Sequence, residues 1–292
     1  MNELAGSVAV PGVRERRRSR RRWLSLSSVS ACVLGLYVVV AIVGPWLVPH
    51  DPNQLSVGPP LAPPSGRFWF GTDELGRDLF SRVVVAVRVA VLVAAASVGL
   101  ALAVGSALGV IAGYFRRGVD TATMRAMDVI FAFPELILAI IVIAALGPSL
   151  LTAIVSIAIV YVPRFARVAR AATLAVAASA YVDAARVASI GSRRILVRHV
   201  LPNIRTPLIV MTALSMSTAQ LAYAALSFLG FGARPPQADF GSMLADGRNF
   251  MTFDAWAVVF PGLALVGLIV AFNLFGDAIR DALDPHFGRG SR

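Results

Sequence analysis

A carboxylate stands inside an apolar run where a bilayer would reject it. Glu135 follows Phe131-Ala132-Phe133-Pro134 within residues 121–146. An ionisable side chain at such depth is costly and usually faces a cavity or the bundle interior. Pro134 interrupts the run and frees a backbone carbonyl. The chemistry on offer is attraction of a cationic group such as an amino terminus; the alternative is a protonated or paired structural carboxyl. Further on, Met211, Thr212, Ser215, Ser217, Thr218 and Gln220 form a weakly polar run. It suits either helix packing or a permissive lining for backbone donors and acceptors. Glu135, Phe131, Met211, Ser215 and Gln220 are the candidate pathway residues.

Other chemistries are excluded. All 27 basic residues are arginine, so no P-loop lysine exists to reach a nucleotide's phosphates. No His-Glu-x-x-His or Gly-x-Ser-x-Gly sequence occurs. His50, His199 and His286 lie far apart, without metal-ligand spacing. Cys32 is alone in an apolar span and reads as a small buried residue. The expectation is a chain that is not an enzyme, with no catalytic residue, metal or cofactor of its own.

Residues 181–203 are polar and arginine-rich between two apolar spans. A loop that long usually carries function or its own structure. Ala184, Ala185, Val187 and Ala188 give a first short helix a small-residue face. Gly191 supplies a turn. Ile195, Leu196 and Val197 carry a second helix to Leu201-Pro202, where proline opens the next span. Such a helix–turn–helix suits docking into a groove of another protein.

The elements that must position these residues are spans. The chain is 57% hydrophobic and 15% charged, with mean hydropathy +0.74, which places it in the membrane class. A spanning helix needs about 20 apolar residues. Six runs qualify, near 24–48, 83–113, 121–146, 150–168, 204–229 and 255–279. With the N-terminus inside, 21 arginines fall in inner segments and five in outer loops, which puts both termini in the cytoplasm. The net charge of +11 is thus a topology signal with anionic-lipid contact, and no nucleic-acid footprint is needed.

Between the first two spans, Phe70-Gly71-Thr72-Asp73-Glu74-Leu75-Gly76-Arg77-Asp78 runs into Leu79-Phe80-Ser81-Arg82. Thr72 or Asp73 is expected to cap the next helix, with Asp78 and Arg82 an i,i+4 pair. Gly113-Tyr114-Phe115-Arg116-Arg117-Gly118-Val119-Asp120 makes a short inner turn, and Arg125 and Asp128 are expected to pair. Leu226-Ser227-Phe228-Leu229-Gly230-Phe231-Gly232-Ala233-Arg234-Pro235-Pro236 forces a structured outer loop. Near the end, Asp277, Arg280 and Asp281 are expected to pair at the inner surface.

Residues 181–203 resemble the coupling loop of permease subunits of ATP-binding-cassette importers. Asp183-Ala184-Ala185 matches Glu-Ala-Ala, and Leu201-Pro202 falls at the right separation. Ser189 stands where the pattern has glycine, so the turn is expected two residues later, at Gly191. The outer-loop motif, the inner turn and the segment before the last span resemble the C-type subunit of dipeptide and oligopeptide permeases. That resemblance covers roughly residues 48–285.

It implies an all-α membrane protein with six transmembrane helices, both termini cytoplasmic and a coupling helix–turn–helix between spans 4 and 5. The expected divisions are a basic tail 1–22 with residues 1–18 disordered, a first span 23–48, an external loop 49–82, a core 83–285 containing a coupling loop 169–203, and a tail 286–292. Asp183, Ala184, Ala185, Ser189, Gly191, Leu201 and Pro202 would couple to an ATPase. Asp73, Arg77, Asp78 and Arg234 would face the external side. The implied partners are a B-type permease, two ATPase subunits or domains holding ATP and Mg, an external peptide-binding protein and the lipid bilayer. Peptides are the implied cargo, moved by alternating access. Nickel or glutathione is the alternative within the class. An ion-coupled secondary transporter, supported only by Glu135, and a non-transporting scaffold are the rivals outside it.

Overall fold

The computed structural model describes residues 13–283. They form α1 (Val13–Leu47), α2 (Leu79–Phe115), α3 (Arg117–Phe131), α4 (Glu135–Leu146), α5 (Leu150–Ala177), α6 (Ala180–Val187), α7 (Ser192–Ile195), α8 (Leu201–Phe228), α9 (Phe240–Gly247) and α10 (Trp256–Leu283). A π-helical turn, Leu196–Val200, joins α7 to α8. Residues 13–18, expected to be disordered, are helical within α1, and residues 1–12 and 284–292 lie outside the described residues.

Among the described residues, five helices are long and apolar enough to cross a membrane, or six if α3 and α4 count as one broken span. The expected span over 121–146 is not straight: α3 and α4 meet at 92°. Ala132, Phe133 and Pro134 make the break, because proline has no amide to continue the ladder. Both of the long helices α2 and α5 outrun their apolar stretches. The alanine-rich residues 169–177 carry α5 about two turns past the expected end.

α2 and α5 form the centre of the bundle through small residues. A Cβ on Gly105 would stand 2.5 Å from the Val162 carbonyl oxygen, and one on Gly113 2.9 Å from that of Arg170. Gly105, Gly109 and Gly113, four residues apart, let two backbones approach, which is how helices associate where hydrophobic burial gives no net drive. The lower part of α2 (Val98, Ala101, Val110) packs with Ile157, Tyr161, Phe165 and Ala166 of α5 and with Ile204 and Tyr223 of α8. Its upper part (Leu79, Val83, Ala86, Ala90) packs with Leu34 and Ala41 of α1, Phe240 of α9 and Leu268 and Phe272 of α10. α1 is peripheral: only 11% of its residues 30–47 are buried. Cys32 is exposed there rather than buried.

The helix ends alternate between two poles. One carries α3, α6, α7 and the arginine-rich segment 186–198. The other carries the loop 48–78, the α4–α5 turn and α9, tied by Arg234 Nε donating to the Pro148 carbonyl at 2.7 Å and by Phe70 stacked on Phe260 at 4.1 Å.

Candidate functional site

At the arginine-rich pole the segment after α5 folds back on the bundle. Ser179 precedes α6, and Val182 and Ala185 turn inward, 0% and 7% exposed. The face expected from Ala184, Ala185, Val187 and Ala188 is therefore split. Ala184, Val187 and Ala188 point outward with Asp183, and Val187 is 86% exposed. Asp183 accepts from Arg186 at 2.7 Å; Arg186 also bonds the Ala177 carbonyl and lies over Tyr114 of α2.

The turn is not displaced to Gly191. Ser189 adopts φ +58°, while Gly191 has φ −61° and starts α7. The Ser189 amide donates to Arg186 O at 2.9 Å and the Ile190 amide to Ala185 O at 3.1 Å. This pairing is a Schellman motif, which wants a left-handed residue after the helix cap. Serine fills the position where glycine would be unstrained. Ile195, Val200 and Ile204 anchor the return, and Asn203 bonds Tyr181 at 3.2 Å. Leu201 and Pro202 are exposed at the start of α8. The result is a compact hairpin with a small apolar outer face.

From the same pole a ladder of three ion pairs climbs between α5 and the α3–α4 elbow. Arg170 grips Asp120 through two bonds of 2.5 and 2.6 Å. Arg167 bonds Asp128 at 2.8 Å and lies over Phe131 at 4.1 Å. Arg164 bonds Glu135 and lies over Tyr161 at 4.5 Å. Asp128 thus pairs with Arg167 of α5 and not with the expected Arg125, one turn earlier on its own helix. Glu135 is a paired carboxylate. Arg164, Arg167 and Arg170 were legible only as topology arginines; their three-residue spacing, one helix face, was the signal for the ladder.

The other pathway candidates divide. Met211 lines a groove of about 370 Å³ with Val168, Thr206, Pro207, Val210, Leu214, Arg280 and Leu283. Ser215 and Gln220 are buried, 2% and 0% exposed, and both amide atoms of Gln220 lack a hydrogen-bond partner. Arg280 makes no ion pair with Asp277 or Asp281 among the described residues, contrary to expectation.

At the loop pole, Asp73, Arg77 and Asp78 are buried. Asp73 binds Arg77 Nε at 2.5 Å and faces Arg82 Nε at 3.5 Å. Arg82 also donates to the Pro52 carbonyl at 3.1 Å. The expected Asp78–Arg82 pair is therefore absent, and Asp78, rather than Thr72 or Asp73, caps α2 by accepting from the Ser81 amide at 3.1 Å. Burial pushes the Glu74 carboxyl above its ordinary range, with Asp73 and Asp246 adding repulsion against the opposing pull of its backbone bond and of Arg77. Arg234 is exposed and bound to Pro148.

Residues 105–289 match the family described as binding-protein-dependent transport system inner membrane component, and residues 17–64 match the N-terminal transmembrane domain of oligopeptide transport permease C. The probable D,D-dipeptide transport system permease protein DdpC of Escherichia coli K12 is 43% identical over 90% of this chain and 88% of its own. The dipeptide transport system permease protein DppC of Alkalihalophilus pseudofirmus is 40% identical over 89% of this chain and 86% of its own. In fold, a chain of the inward-facing MetNI methionine ABC transporter matches with a TM-score of 0.58, covering 70% of this chain and 98% of that one, at 18% identity.

Proposed function

The chain belongs to the family of binding-protein-dependent transport system inner membrane components, and from that premise we propose that it is the C-type permease subunit of an ATP-driven importer of di- or oligopeptides. It is a multi-pass inner-membrane protein and, as a permease component, not itself an enzyme. The importer class brings an ATPase and a binding protein as partners. The finer reading is a pseudo-symmetric pair with a B-type permease, two ATPase subunits or domains holding ATP and Mg, and a peptide-binding protein on the other side.

The observation that carries the mechanism is the α6–α7 hairpin. Its outward face of Ala184, Val187 and Ala188 is small and apolar, and Asp183 sits at its edge. Ile195, Val200 and Ile204 bind it to the bundle, so a push on the hairpin is transmitted to α8. In this reading the arginine-rich pole is cytoplasmic, in line with the arginine bias. ATP binding closes the ATPase pair, the hairpin moves with it, and the bundle exchanges inward and outward openings. Asp183, Ala184, Ser189, Gly191, Leu201 and Pro202 form or border the docking surface; Ala185 supports it from within. The loop 48–78 presents the surface that a binding protein meets, shaped from beneath by Asp73, Arg77 and Asp78, with Arg234 bracing the neighbouring loop.

The test is uptake of a labelled dipeptide by the purified complex in proteoliposomes. Uptake should require ATP and the binding protein. Uptake driven by an ion gradient without ATP would favour the secondary transporter, and no uptake would favour the scaffold. Glutathione and nickel belong in the same assay as competing cargoes.

A further inference from the structure

The ladder's innermost rung lies where a structural ion pair is hardest to explain. Arg164 is the fifteenth residue of α5, so it lies about 21 Å from the loop-pole end of that helix. Glu135 opens the 12-residue α4, about 17 Å from its loop-pole end. Against a hydrocarbon core of about 30 Å, both rulers put the pair within the bilayer thickness. Yet the side chains of Glu135 and Arg164 are 45% and 25% exposed on the surface of the chain. Lipid does not solvate such a pair, so this face meets a wet cavity or a polar occupant.

The fold also does not depend on this rung. Arg167–Asp128 and Arg170–Asp120 already hold α3 to α5. Ala139 and Ile143, 3% and 0% exposed, anchor α4 through apolar contact. Arg164 rests on the ring of Tyr161, itself 1% exposed, so its guanidinium has support apart from Glu135. Only Nη2 binds Glu135. A guanidinium has five donors in a fork, so most remain for a second carboxylate.

Resting on the importer reading above, we propose that Glu135 and Arg164 are an exchangeable pair that receives the two termini of a zwitterionic peptide. The cargo's ammonium binds Glu135 and its terminal carboxylate binds Arg164. Exchange replaces one ion pair by two and leaves the net charge at that depth unchanged. A lone carboxylate would leave the cargo's own carboxylate unpaired. An extended dipeptide spans about 7 Å, which sets the separation the two side chains reach on binding.

The experiment compares a free dipeptide with its N-acetylated and C-amidated forms in the reconstituted complex. Each rate is divided by the wild-type rate for the same cargo, which removes the selectivity of the binding protein. Glu135→Gln should lower uptake of the free and amidated peptides about tenfold or more and leave the acetylated one within about twofold. Arg164→Gln should spare the amidated peptide instead. Glu135→Asp, which retains the charge, should keep the wild-type ranking of cargoes and serves if Glu135→Gln does not assemble. Equal losses for all cargoes would make the pair structural and overturn the proposal, as would no change for any. A wild-type complex that moves no peptide overturns the importer reading and the pair assignment together; peptide uptake with undiscriminating variants overturns the assignment alone.

Discussion

Gly109 of α2 lies so close to α5 that a Cβ on it would stand 2.2 Å from the carbonyl oxygen of Ala166 and 2.8 Å from the Ala169 Cβ. The neighbours are backbone and a rigid methyl, which cannot move aside. Gly109→Val should therefore separate the central helices at a cost of about 3 kcal/mol or more. Thermal unfolding in detergent should show a clear fall in Tm, and purified complex yield should drop. Gly99→Ala, at a site where an added Cβ meets nothing within 4 Å, is the control that should leave both unchanged.

The Ser189 turn gives a substitution that improves the chain. Serine at φ +58° carries a steric penalty that glycine lacks. Ser189→Gly should stabilise the hairpin by about 1 kcal/mol, read as slower hydrogen exchange at the Ile190 amide. Gly191→Ala should be nearly silent, since its backbone is extended and nothing lies within 4 Å of an added Cβ. A large loss at 191 with none on Ser189→Val would show the turn to be elsewhere.

Val187 and Ala185 separate docking from packing. Val187→Glu alters an exposed apolar side chain and should leave the subunit inserted and assembled, while uptake per ATP hydrolysed falls about tenfold. Ala185→Trp overfills a buried site and should reduce stability instead. Normal coupling ratios for Val187→Glu would remove this face from the ATPase contact.

Glu74 should make the outer loop pH-sensitive. Its folded pKa is raised from 4.5 by burial. The folded loop therefore holds this proton more tightly than the unfolded one. The group's contribution is most favourable below pH 4.5 and is lost as pH rises from there through the raised folded value. Amide protection across residues 71–78 should decline over that window, and Glu74→Gln should flatten the decline. A decline that survives the substitution would assign it to another carboxylate.

Much of the architecture was fixed by local pattern. Apolar run length gave the long spans, Pro134 gave the site of the break, and the arginine-rich stretch 181–203 gave two short helices, because hydropathy and proline act within a few residues of themselves. Which partner each charge would take was not local. Asp128 was expected to use Arg125 three residues before it and uses Arg167; Arg82 was expected to use Asp78 and uses Asp73. Nothing in the spacing of residues 121–146 sets a 92° elbow, and it is the elbow together with the glycine-lined approach of α2 to α5 that brings Asp120, Asp128 and Glu135 to one face. The inward turn of Ala185 and the strained φ of Ser189 likewise follow from how α6 docks on the bundle. Sequence determined what must cross the membrane and where it must bend; packing between helices far apart in the chain decided which charges meet and which faces stay open.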